Sequence, residues 1–108
     1  MLHATPEEMR GRLARETERL SALAFAHGSA EVRFYAPRGE DRQVPHDRDE
    51  LYVVLAGRGT FVVGDERVAF GPGDVLFAPA HAEHRFVDFT DDFETWVIFY
   101  GPTGGEAA

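Results

Sequence analysis

The chain contains no cysteine. Disulfides and thiolate metal sites are thereby excluded, and any bound ion must be held by histidine, carboxylate, backbone or water. Positive charge is also scarce. Eleven basic residues stand against nineteen acidic ones, a formal charge of −8, which opposes binding to nucleic-acid phosphate or anionic lipid. Neither nucleic acid nor membrane is expected as a partner. No apolar run is long enough to cross a bilayer, and the N-terminus lacks the basic-then-apolar pattern of a secretory leader. The expectation is a soluble, cytoplasmic protein. With 108 residues there is material for one core but not two.

What the chain has in quantity is aromatic and β-branched residues. Nine Phe, three Tyr and one Trp fall mostly after Glu31, in segments rich in Val, which predicts a β-rich second part. Before it, Thr5-Pro6-Glu7-Glu8 reads as a helix start: Thr5 accepts from an orphan amide, Pro6 suits the first helical position and Glu8 completes a capping box. The helix is expected to run to about Leu23, with Met9, Leu13, Leu20 and Leu23 near one side. That stripe serves either as a dimerisation or lid surface or as packing on the protein's own barrel.

From Ala30 the apolar period falls to two. Strands are expected over 31–35, 50–55, 59–63, 66–70, 75–78, 84–89 and 95–100, with turns at Gly57-Arg58-Gly59, Gly64-Asp65, Gly71-Pro72-Gly73-Asp74 and Thr90-Asp91-Asp92. Many short strands with no helix between them argue against βαβ units. The predicted fold is all-β, an antiparallel jelly-roll (double-stranded β-helix) barrel with one N-terminal α-helix. The helix and its connector occupy residues 1–29, the barrel 30–102 and a small, polar, disordered tail 103–108.

Chemistry concentrates in one place. His46, His81 and His84 lie in or beside the β-rich part, and Glu50 follows His46 by four residues. Residues two apart in a strand share a face, so Glu50 sides with Tyr52 and Val54, and His84 with Phe86 and Asp88. His46 joins Glu50 if the chain there is still extended. Two imidazoles and a carboxylate suit a divalent ion and leave coordination positions open. The same set also suits proton transfer. Tyr52 and Phe86 are candidate substrate contacts, Tyr52 through its phenol. Phe61, Phe77, Phe86, Trp96 and Phe99 are read as core, whereas Arg48 and Arg85 are expected outside the pocket.

The pattern resembles the cupin family. Its first motif ends in a His, three or four residues, a Glu, six residues and a Gly, matched by His46, Glu50 and Gly57. Its second motif is matched by Gly73, Pro79 and His84, with His81 in place of a Gly and Asp88 in place of an Asn. The stretches LYVVLAGRGTFVV and FGPGDVLFAPAHAEHRF are cupin-like throughout, so the resemblance covers about residues 31–102.

The resemblance implies a metal site made by His46, Glu50 and His84. The family's first motif usually carries a further histidine two residues before the matched one, and Val44 stands there. Water, substrate, Gln43 or His81 would then fill the fourth position, unless the metal has been lost. His81 either brings a nitrogen to the rim or exposes its ring to solvent. Iron(II) is the first expectation, with manganese, nickel or zinc as alternatives. The family implies three classes of function: a metal-dependent oxygenase (dioxygenase) or isomerase acting on a small molecule, a non-catalytic small-molecule sensor, and a metal-free acid/base catalyst. It also implies a homodimer.

Overall fold

A computed structural model describes residues 2–15 and 21–107. One short helix, α1 (Pro6–Ala14), precedes eight strands: β1 (Ser21–His27), β2 (Ala30–Tyr35), β3 (Asp49–Ala56), β4 (Gly59–Val63), β5 (Glu66–Phe70), β6 (Val75–Ala78), β7 (His84–Val87) and β8 (Glu94–Tyr100). They form two antiparallel sheets of order β1-β2-β8-β3-β6 and β5-β4-β7. This is the expected jelly roll with an N-terminal helix.

The helix begins as predicted, with Thr5 Oγ1 accepting from the Glu8 amide at 3.2 Å and Pro6 opening the first turn. It ends sooner than predicted, capped at Arg15. Residues 21–27 are not helix or connector but strand β1, paired along its length with β2. Ala and Leu in SALAFAH favour a helix weakly, and sheet pairing overrides so small a preference. Leu23 is therefore on a strand, and the stripe position Leu20 lies outside the described residues. Met9 is fully buried against Ala22, Ala24, Phe34 and Ala36, with Leu13 and Trp96 beside it. The helix thus packs on the outer face of its own sheet, and Arg10 clamps it there by two bonds to Glu94, 2.7 and 2.8 Å.

Inside the barrel the alternation of β3 turns Glu50, Tyr52 and Val54 inward, where they meet Phe61, Phe86, Val97 and Phe99. Two aromatics expected in this core lie elsewhere. Trp96 belongs to the cluster under α1, and Phe77 is 49% exposed because its neighbours Leu76 and Ala78 take the inner face of β6. Strand β7 stops at Val87 rather than Phe89, since Asp88 adopts φ +52, a left-handed conformation that short polar side chains tolerate.

The matched motif glycine, Gly57, sits at φ +88 with the Phe93 backbone so close that a Cβ would lie 2.5 Å from its Cα. Only glycine fits there. The tail expected to be disordered is bonded to the barrel instead. The Gly104 amide donates to the Asp47 carbonyl at 2.6 Å and the Glu106 amide to Asp49 Oδ2 at 2.8 Å. Asp49 also accepts from the Ala80 amide at 2.9 Å. These two backbone donors, Glu106 first, hold the Asp49 carboxyl below its ordinary pKa.

Candidate metal centre

Three chain segments converge at one end of the barrel interior: the loop carrying His46, the start of β3 with Glu50, and the start of β7 with His84. One ligand atom from each lies within 4.8 Å of the other two. Glu50 and His84 are buried, each side chain 1% exposed, with His84 Nε2 only 2.8 Å from Glu50 Oε1. His46 is half-buried, its ring 5.8 Å from that of His84 and edge-on to Phe99 at 4.9 Å.

The orientation of His84 is fixed from behind. Its Nδ1 lies 2.9 Å from the Ala82 carbonyl, which can only accept, so Nδ1 carries a hydrogen and the neutral ring presents a lone pair at Nε2. Glu50 Oε1 is likewise an acceptor. Neither atom has an aligned hydrogen-bond partner among the described residues. Two buried acceptors facing each other repel unless a cation lies between them. A divalent metal ion held by both would meet that need, since a neutral imidazole nitrogen and a carboxylate oxygen are donors such ions take. The residues present fit a divalent ion. A proton is the alternative cation. Burial of His84 disfavours its charged form, but the Glu50 contact, the Ala82 carbonyl and the Asp41 charge outweigh this and raise its pKa.

A second layer holds Glu50. The Tyr52 hydroxyl is 2.9 Å from Glu50 Oε2 and 2.9 Å from Gln43 Oε1. Burial, then the Glu50 charge, push the Tyr52 phenol well above its ordinary pKa, so it remains a neutral donor. Gln43 Nε2 donates to Asp41 Oδ2 at 2.9 Å, and Asp41 also accepts from the Phe86 amide at 2.7 Å and from the Tyr35 hydroxyl. Tyr52 and Phe86 are both buried, their rings 4.9 Å apart.

Of the two candidates for a fourth ligand, Gln43 has its amide engaged by Tyr52 and Asp41. His81 stands apart, exposed, at φ +67, its backbone amide donating to the His46 carbonyl at 2.7 Å. Val44, at the place of the further motif histidine, is 66% exposed. A cavity of about 350 Å³ opens beside His46, and a second of about 260 Å³ reaches His84; Gln43 and Val44 border both. Arg48, expected outside, lines the first with its guanidinium 5.1 Å above the Phe99 ring. It is two residues from Glu50, and that even spacing was the signal for a shared face. Asp41 is a residue that sequence reasoning missed; it binds Gln43 within its own loop and gains its other partners, Tyr35 and Phe86, from strands β2 and β7.

Residues 32–99 match the Cupin domain family. The chain belongs to that family. Among curated proteins this cupin is similar to the uncharacterized protein SCO3923 of Streptomyces coelicolor, 37% identical over 62 residues. That match covers 57% of this chain and 59% of the relative, so it spans less than two thirds of the relative's length. Among solved structures, a Cupin 2 conserved barrel domain protein from Salinispora arenicola superposes with a TM-score of 0.64 at 21% identity, covering 81% of this cupin and 87% of that chain. A chain from the crystal structures of the DMSP lyases RdDddP and RnDddQII gives 0.56 at 28% identity, covering 68% of this cupin and 38% of that chain.

Proposed function

We propose that this cupin binds a divalent transition-metal ion, iron(II) first, through His46, Glu50 and His84, and acts on a small organic molecule in the adjoining cavity by oxygenase- or isomerase-type chemistry. Manganese, nickel or zinc would suit the same donors. One observation carries the reading: two buried acceptors, Glu50 Oε1 and His84 Nε2, face each other at 2.8 Å. When bound, the ion supplies Lewis-acid polarisation of a substrate oxygen or, as iron(II), reactivity toward oxygen.

The remaining tasks fall to the chain. The Ala82 carbonyl fixes the tautomer of His84, and Tyr52 orients the Glu50 carboxylate. Phe61 and Phe86 pack against Tyr52 and keep water from that side. His46, half-buried on its loop, faces the larger cavity, where substrate would enter. A homodimer belongs to the same reading, supported by Val75 and Phe77 exposed on the edge strand β6.

The same close pair supports a second reading, metal-free acid/base catalysis, in which a proton shared between His84 and Glu50 is passed to and from substrate. The test is to load the protein anaerobically with Fe(II), add small organic molecules in deuterated buffer, and follow oxygen uptake and proton NMR. Turnover abolished by a chelator and by His84→Ala supports the metalloenzyme. Turnover that survives chelation selects the acid/base reading, and an ion bound with no turnover selects a non-catalytic binding or sensory protein.

A further inference from the structure

This chain is strongly acidic, yet the cavity beside His46 is not. All eleven basic residues are arginines, and three of them, Arg33, Arg42 and Arg48, line this one cavity, against two carboxylates, Glu31 and Asp47. Glu31 acts as a brace. Its Oε2 holds Arg33 Nε at 2.5 Å and its Oε1 holds Arg48 Nη2 at 3.3 Å. Those contacts, the Arg33 bond first, keep the Glu31 carboxyl below its ordinary pKa.

The brace leaves donors free. A guanidinium has five N–H groups. Arg33 engages only Glu31 and, at 3.4 Å, Ser21 Oγ among the described residues. Arg48 is held further by the Ser29 carbonyl at 3.1 Å. Arg42, its side chain 78% exposed, touches Glu40 only at 3.4 Å and is free to swing over the mouth. The apolar part of the lining includes Val97 and Phe99, the β8 partners of Arg33 and Glu31 on β2. At about 350 Å³ the space takes roughly a dozen non-hydrogen atoms at about 30 Å³ each.

We infer that this cavity recognises a small organic acid whose carboxylate is bound by Arg33 and Arg42, with Arg48 beside it and the acid's apolar body on Val97 and Phe99. The planar fork of a guanidinium matches the two oxygens of a carboxylate. The inference rests on the proposed site, since it names the substrate class for the cavity that His46 borders.

The test measures binding by calorimetry at fixed ionic strength, using acetate, pyruvate, benzoate and succinate, the neutral amide of each, and inorganic phosphate. Wild type, Arg33→Gln and Arg42→Gln are compared, each metal-free and loaded with Ni(II); the exposed Arg42 makes its variant safe for folding. At least one acid is expected to bind about tenfold or more tightly than its amide, a preference that falls about 10- to 100-fold in Arg33→Gln and less in Arg42→Gln. No preference in wild type, a preference that survives both substitutions, or tighter binding of phosphate than of every acid overturns the inference. A preference seen only with Ni(II) and indifferent to both arginines also overturns it, while leaving the metal reading intact. An arginine-dependent preference in a protein that takes up no metal supports the inference and removes the metal reading alone.

Discussion

Replacing Tyr52 by Phe removes one oxygen atom from the second layer of the site and little else. The ring keeps its packing, edge-on to Phe61 at 5.5 Å and to Phe86 at 4.9 Å. What disappears is the hydroxyl 2.9 Å from Glu50 Oε2; no other donor to that oxygen exists among the described residues. Glu50 is 1% exposed, so water cannot readily take over. Outer-layer partners of metal ligands are typically worth about 10- to 100-fold in affinity, or about 1.4–2.8 kcal/mol. Losing the hydroxyl's bonds should also cost the metal-free protein about 1 kcal/mol, a fall of about 5 °C in Tm for a domain of this size. Competition with a fluorescent chelator for Zn(II) and Ni(II) measures the first quantity, and circular dichroism the second. An affinity within about twofold of wild type would refute the argument, reducing Tyr52 to a packing residue.

Three other substitutions and conditions carry predictions. His81→Gly should stabilise the fold by about 0.5–1 kcal/mol, because an exposed non-glycine residue at φ +67 is strained, and should leave metal uptake unchanged; lost uptake in elemental analysis would make His81 a ligand. Gly57→Ala should cost about 3 kcal/mol in urea unfolding, from its positive φ and the 2.5 Å approach to Phe93 Cα. A cost under about 1 kcal/mol would contradict the close packing of that turn. In metal-free protein, the raised pKa of His84 means that the proton between it and Glu50 adds stability below the ordinary value of 6.5. That stability is lost as pH rises through the folded-state pKa. Thermal melts from pH 5 to 9 should show this loss, and added Ni(II) should offset it at the alkaline end; a flat metal-free profile would contradict it.

Much of this was legible because turn residues punctuate the chain. Strands β4 and β5 begin and end beside glycines and aspartates and β6 lies between Asp74 and Pro79, and alternation in β3 correctly pairs Glu50 with Tyr52 on the inner face. The same alternation places Phe77 outside, between Leu76 and Ala78, although its hydrophobicity alone suggests core. Strand β1 was not legible, since its Ala-rich sequence is settled by pairing with β2 and not by local preference. The order imposed on the tail depends on Asp49, more than fifty positions away. Asp41 likewise gains its role only when folding brings Tyr35 and Phe86 to the carboxylate that Gln43, two residues on, already reaches.

Elemental analysis of protein purified without a metal-affinity tag bears most directly on the site itself. Wild type should carry close to one transition-metal ion per chain, and His46→Ala and His84→Ala should each lose it while remaining folded by circular dichroism. Wild-type protein that is empty, and that also ignores added Fe(II), Mn(II), Ni(II) and Zn(II), would contradict the account and leave the Glu50–His84 pair to a proton.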